Sequence, residues 1–228
     1  MSNTIIDKMF AVGAHFGYRK SRRHPSMKPF VFGAKNRTEI FDLEKTDEYL
    51  SKTKEFIAKL AAEGKTILFV STKAEGKTIM KEAAQSIDMP YVTERWIGGT
   101  MTNFSEIKKR VSRLLDLIDK KEKGELVKYT KKEQMLLGRE IGKLQKNFGG
   151  ISTMKDLPDA VFVVDPQKEE TAVIEATKKN IPVIALASTD CDITDVDHVI
   201  PANDSSVKSI EFFVNEVVDA YKDARKKQ

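Results

Sequence analysis

The sequence predicts a doubly wound α/β domain, a parallel sheet with helices on both faces, interrupted by an inserted antiparallel helical hairpin. Three observations carry this. Thr66-Ile67-Leu68-Phe69-Val70, Ala160-Val161-Phe162-Val163-Val164 and Pro182-Val183-Ile184-Ala185-Leu186 are unbroken apolar runs of strand length. Strands covered on both faces read this way, whereas half-exposed strands alternate. Helical patterns separate these runs, and the β-α rhythm implies a parallel sheet. Residues 105–148 break that rhythm. Ile107, Val111, Leu114 and Ile118 recur at helical spacing, as do Leu137, Ile141, Leu144 and Phe148, with a turn at Lys120-Lys121-Glu122-Lys123-Gly124 between them. Two helices sharing one apolar seam form a coiled-coil hairpin, and each is short enough to depend on the other. The body is therefore 1–104 with 149–228, and the insertion is 105–148.

The elements follow in order. Residues 3–12 form a short amphipathic helix through Ile5, Ile6, Met9, Phe10 and Val12. Residues 13–29, rich in Gly, Pro and basic side chains, read as an extended arm. Short strands at 30–33 and 38–42 flank a turn at 34–37, with Phe30 and Phe32 mainly in the core. A helix over 42–63 ends at Gly64. After the strand at 66–70 come a helix at 75–87, a strand at 90–94 and a loop holding the only tryptophan, Trp96. Beyond the insertion, the strand at 160–164 leads to a helix at 168–179. A strand at 182–186, a short one at 198–200 and a closing helix at 205–225 complete the chain.

Composition narrows the function. The chain has 228 residues, 40% hydrophobic and 32% charged. No run approaches the ~18 apolar residues of a membrane span. Met1 to Phe10 contains Asp7 and Lys8 and is no secretory signal. The single cysteine, Cys191, cannot pair within the chain, which fits a reducing cytoplasm. The net charge of +5 is unevenly spread. Residues 1–40 hold eight Lys/Arg against two Asp/Glu, and residues 105–148 hold thirteen against seven. Residues 149–228 are acidic, nine against fifteen. Two basic blocks beside a neutral-to-acidic body point to a polyanion touched in two places; the alternative is two solvated faces.

Most candidate chemistry fails on inspection. Ser71-Thr72-Lys73-Ala74-Glu75-Gly76-Lys77-Thr78 follows a strand and opens a helix as a P-loop does. The first glycine of that pattern is Ser71 here, and Glu75 brings negative charge toward the phosphate position. A polar strand-to-helix turn is the preferred reading; a P-loop-like nucleotide-binding enzyme is the alternative. Asp190, Asp192, Asp195 and Asp197, with Cys191 and His198, lack the spacing of an EF-hand or a zinc site, so an acidic loop is expected. His15 and His24 have no carboxylate nearby in sequence, and a stacking or hydrogen-bonding role suits them better than catalysis. No catalytic residue, metal or cofactor is expected.

Nucleic-acid chemistry is better represented. In the arm, Tyr18, Arg19, Lys20, Arg22, Arg23, His24, Lys28, Lys35 and Arg37 combine cations for phosphates with an aromatic face for bases. In the loop, Arg95 and Trp96 stand beside Gly98-Gly99, with Thr102 and Asn103 close behind. Lys108, Lys109, Arg110 and Arg113 open the insertion. Arg95 is the stronger phosphate ligand of the loop pair, with Trp96 wedged between body and insertion.

Gly13-Ala14-His15-Phe16-Gly17, Pro25-Ser26-Met27-Lys28-Pro29, Glu94 to Phe104, Pro158 to Pro166 and Ile181 to Leu186 occur in an order that resembles the bacterial ribosomal protein S2 family over nearly the whole chain. The Arg-Trp-x-Gly-Gly-Thr-x-Thr-Asn-Phe run is the most specific match. The resemblance implies a flavodoxin-like α/β domain with an inserted helical hairpin. It implies a structural, non-enzymatic protein of the cytoplasmic ribosome. That protein would bind small-subunit ribosomal RNA and bridge head and body on the solvent side. It also implies neighbouring small-subunit proteins as partners, including the large mRNA-binding ribosomal protein one, with no homo-oligomer. Tyr18 stands where the family commonly has His, Arg23-His24 where it has Trp-Asn, and Ser71 and Ala202 where it has Gly.

Overall fold

The computed structural model describes residues 4–226. Helix α1 (Ile5–Ala11) is opened by a capping box, in which the Thr4 hydroxyl accepts from the Asp7 N–H and the Asp7 carboxylate accepts from the Thr4 N–H. The expected start at residue 3 lies outside the described residues.

The arm is not extended. Phe16–Arg19 form β1, and 3-10 turns follow at Lys20–Arg22 and Pro25–Phe30. Strand β1 joins β2 (Val31–Lys35) and β3 (Thr38–Phe41) in an antiparallel sheet of order β1-β3-β2. Asn36 and Arg37 make the tight β2–β3 turn, both at positive φ. The arm folds because it has apolar surface to bury. Met27 and Phe30 pack with Phe41, Ala187, Cys191 and Val199 in a cluster at the end of the main sheet. Phe32 departs from expectation. It is 79% exposed: Phe30 ends the 3-10 turn, β2 begins at Val31, and Phe32 lies on the strand face opposite the half-buried Val31 and Gly33.

Helix α2 (Leu43–Ala62) is capped by Asp42, whose side chain accepts the Glu44 N–H. Strand β4 (Ile67–Val70), α3 (Lys77–Gln85) and β5 (Tyr91–Val92) come next. Helices α4 (Phe104–Glu122) and α5 (Lys131–Phe148) occupy the central region, with a 3-10 turn at Glu125–Lys128 between them. Strand β6 (Ala160–Val164), α6 (Glu170–Lys178), β7 (Val183–Ala187), β8 (His198–Pro201) and α7 (Val207–Lys226) complete the order.

The main sheet is parallel throughout, in the order β5-β4-β6-β7-β8. Counted along the chain this is 2-1-3-4-5, the flavodoxin arrangement. Each apolar run is split between two cores, as the pleat requires. Ile67, Phe69, Ala160, Phe162 and Val164 face one cluster, filled by α2, α3 and α7. Leu68, Val70, Val161 and Val163 face the other, filled by α6 and by Ile107, Val111, Leu114, Leu117, Leu144 and Phe148 of α4 and α5. The α4 and α5 seam is thus continuous with the sheet's second core.

Candidate nucleic-acid interface

The chain reverses direction across the sheet between β4 and β6. In open α/β sheets that switch point, at the carboxyl ends of the strands, is where ligands bind. Here the protein's own side chains fill it. Glu169 accepts the Thr72 N–H and hydroxyl, both at 2.6 Å. Burial pushes the Glu169 pKa up, and the Thr72 hydrogen bonds only partly offset that. The Lys73 ammonium lies 2.9 Å from Asp165 and 3.2 Å from the fully buried Asp204. Burial alone would lower the Lys73 pKa, but the Asp204 and Asp165 charges outweigh it and hold the pKa up. Asp204 itself is pushed up to about 6, by burial first and then by the Asp165 charge. Its Oδ2 faces Lys73 without hydrogen-bond alignment. The Cys191 thiol, 3.9 Å from Asp165, is pushed far up by burial and is inert. A Cβ on Gly76 would stand 2.6 Å from the Ser71 hydroxyl, so this turn is packed closed. A nucleotide phosphate here would meet Glu169, Asp165 and Asp204.

The Trp96 loop is organised by a residue the sequence did not single out. Glu175, on α6 and nearly buried, accepts from the Trp96 indole N–H at 3.1 Å and the Gly99 N–H at 2.8 Å. Its other oxygen accepts from the N–H groups of Met101 and Thr102 and from the Thr102 hydroxyl. Burial would raise its pKa, but these donors outweigh burial and hold it below the usual carboxylate range. Gly99 is required at its place, because its φ is 91°. Trp96 is 9% exposed and lies in the second core, so its ring cannot stack on a base. Arg95 and Asn103 are exposed, and Arg95 has no ion pair among the described residues. Only one signal hinted at Glu175: a carboxylate on the buried face of a helix.

The arm residues divide into engaged and free. The Tyr18 hydroxyl pairs with Ser205 at 2.7 Å, and the Arg22 guanidinium stacks 4.4 Å above its ring. Arg22 also binds Asp190 at 3.1 Å, and Arg23 binds the buried Glu39 at 2.9 Å. His24 hydrogen-bonds Ser26 and lies 3.7 Å from Asp192, a carboxylate that the sequence places far away. His15 stacks on Phe10, with centroids 4.4 Å apart, and lies tilted against Phe16 at 4.0 Å. Arg19, Lys20, Lys28, Lys35 and Arg37 are exposed and without ion pairs among the described residues.

On α4, Lys108 reaches Asp156, Lys109 reaches Glu106 and Arg113 reaches Glu140 of α5. Arg110 remains exposed without such a partner among the described residues. Lys132, Arg139 and Lys143 of α5 are likewise exposed and without ion pairs there. These three are not among the cations that the sequence singled out, all of which in the insertion lie on α4.

The flavodoxin-like fold thus has its switch-point crevice filled by its own side chains, and its arm and central helices expose cations without ion pairs among the described residues. Comparison with known proteins sharpens this. Residues 9–224 match the family model described as Ribosomal protein S2. Among curated relatives, a protein of Geotalea uraniireducens (strain Rf4) is 42% identical over 220 residues, covering 96% of this chain and 86% of the relative. One of Roseiflexus sp. (strain RS-1) is 45% identical over 208 residues, 91% of this chain and 79% of the relative. One of Spiroplasma citri is 44% identical over 218 residues, 96% of this chain and 61% of the relative. All three are named small ribosomal subunit protein uS2. The chain belongs to the ribosomal protein S2 family, structural and non-enzymatic components of the small ribosomal subunit.

Proposed function

We propose that this protein binds small-subunit ribosomal RNA through its arm, its Trp96 loop and its central helices, and bridges head and body on the solvent side of the subunit. The observation that carries the reading is that seven of the cations the sequence singled out, Arg19, Lys20, Lys28, Lys35, Arg37, Arg95 and Arg110, are exposed without an ion pair among the described residues. Cations held in ion pairs have less charge to offer a phosphate, and these seven are free to displace counterions. Tyr18, Arg22, Arg23, His24, Trp96 and Thr102 act behind them, shaping the arm and loop. Lys108, Lys109 and Arg113 reach RNA by exchanging exposed ion pairs, which are individually weak.

In this reading segment 105–148 works as an antiparallel coiled-coil hairpin inserted between 1–104 and 149–228, with its seam continuing the body's second core. The protein acts as a single copy in the cytoplasmic ribosome. It supports docking of the large mRNA-binding ribosomal protein one near the mRNA exit. Among the described residues no helix is long and apolar enough to cross a membrane.

Co-sedimentation with purified small subunits, and titration of small-subunit RNA across salt concentrations, test the reading. Binding should weaken steeply with salt, with a log-log slope of about −0.7 to −0.9 per phosphate contacted. Equal binding at low and high salt, or absence from subunits, would overturn it.

A further inference from the structure

Helix α5 carries a face that the fold itself does not use. Lys132, Arg139, Lys143 and Lys146 fall at helical spacing along one side. The first three have no ion pair among the described residues, and Lys146 reaches only Glu94, at 3.6 Å. The row leads to a cavity of about 370 Å³, formed where the end of α5 meets α3 and the edge strand β5. Its wall includes Lys81, Tyr91, Glu94, Gln145, Lys146 and Asn147. Lys81 is exposed and has no ion pair among the described residues. The one carboxylate in the wall, Glu94, is already flanked by Lys77 at 3.3 Å and by Lys146.

Beside the cation row the helix backbone is bare. Gly138 and Gly142 are exposed, and a Cβ on either would meet nothing within 4 Å. A glycine in a helix interior is destabilising relative to alanine. Neither glycine has a positive φ, and nothing among the described residues fills the room they leave.

We propose that the α5 face from Lys132 to Lys146, with the cavity at its end, is the path of one RNA strand. Backbone phosphates run along the cation row, close against the helix at Gly138 and Gly142. One unstacked nucleotide enters the cavity, where the Gln145 and Asn147 amides offer base-edge donors and acceptors and Lys81 meets its phosphate. A cavity of this size lies in the range that takes a small ligand. The proposal rests on the RNA-binding reading and adds the strand's route.

The test uses the full chain and a transcribed small-subunit RNA titrated at several salt concentrations. The double variant Gly138→Ala, Gly142→Ala should melt at a higher temperature, through helix propensity, and yet bind RNA about tenfold more weakly. The pair Arg139→Gln, Lys143→Gln should flatten the salt slope by about two contacts. Lys81→Gln and Asn147→Ala should each weaken binding without lowering the melting temperature. Unchanged affinity in the stabilised glycine variant, together with an unchanged slope in the charge variant, would overturn the proposal. If Arg95→Ala weakens binding while the α5 variants do not, the RNA reading stands and the α5 route fails. Wild-type binding indifferent to salt would remove both.

Discussion

Trp96 and Arg95 are neighbours with opposite surroundings. Trp96 fills the second core and donates to Glu175, whereas Arg95 is exposed with no ion pair among the described residues. Trp96→Ala should therefore destabilise by about 3–5 kcal/mol in urea unfolding, leaving a cavity and one fewer donor for Glu175. Arg95→Ala should change stability by under about 0.5 kcal/mol, as surface substitutions do, while weakening RNA binding. A stable Trp96→Ala protein would contradict the packing argument. Glu175 makes the same point through pH. Its folded pKa is lowered, so its contribution is complete above the ordinary carboxylate value of about 4.3 and is lost as pH falls through the folded pKa. Glu175→Gln should thus destabilise most near neutral pH, and the gap from wild type should narrow in acid. A gap independent of pH would show that the carboxylate charge is irrelevant to the loop.

At the level of elements, the strand ends and the paired helices are the features to test. Lys73 joins the turn after β4 to Asp165 after β6 and Asp204 after β8. Lys73→Met would leave two carboxylates facing each other in a buried site, at about 3–5 kcal/mol. Asp204 binds its proton more tightly folded than unfolded. It therefore favours the native state below about pH 6, and that advantage fades as pH rises from the ordinary carboxylate range to about 6. The Lys73→Met penalty should accordingly be smaller at pH 5 than at pH 8; equal penalties would refute the coupling. In the central helices, Leu114 is 1% exposed and shares a cluster with Leu144 and Phe148. Leu114→Ala should cost about 2–5 kcal/mol, measured by thermal and urea unfolding. Thr130 caps α5 with a reciprocal box to Glu133, and Thr130→Ala should cost about 1 kcal/mol.

Across the whole molecule, the features legible in the sequence are those set by local pattern. The three apolar runs became β4, β6 and β7, because a strand buried on both faces accommodates four or five consecutive apolar side chains. Of the helically spaced positions in 105–148, Ile107, Val111, Leu114, Leu144 and Phe148 are buried on α4 and α5, whereas Ile118, Leu137 and Ile141 are half-buried and Leu117 is buried in addition. The arm reads as extended in sequence, because its Gly, Pro and basic residues hide two apolar anchors, Met27 and Phe30, that find their cluster only in three dimensions. Phe32 is misplaced because a strand from residue 30 would put Phe30 and Phe32 on one face, whereas the 3-10 turn holds Phe30 out of the strand and breaks that alternation. The candidate interface is legible as a list of cations and illegible as a set of free ones. Arg22, Arg23 and Arg113 are paired with Asp190, Glu39 and Glu140, partners 168, 16 and 27 residues away. By itself, the sequence determined the fold class, the order of elements and the family motifs, since these depend on periodicity and on local runs of residues. The tertiary structure alone decided which charges were already neutralised, that Glu175 holds the Trp96 loop, and that the switch-point crevice is filled from within. Those outcomes depend on distances between residues remote in the chain, and in a low-dielectric interior such distances decide whether a charge is paired or left exposed.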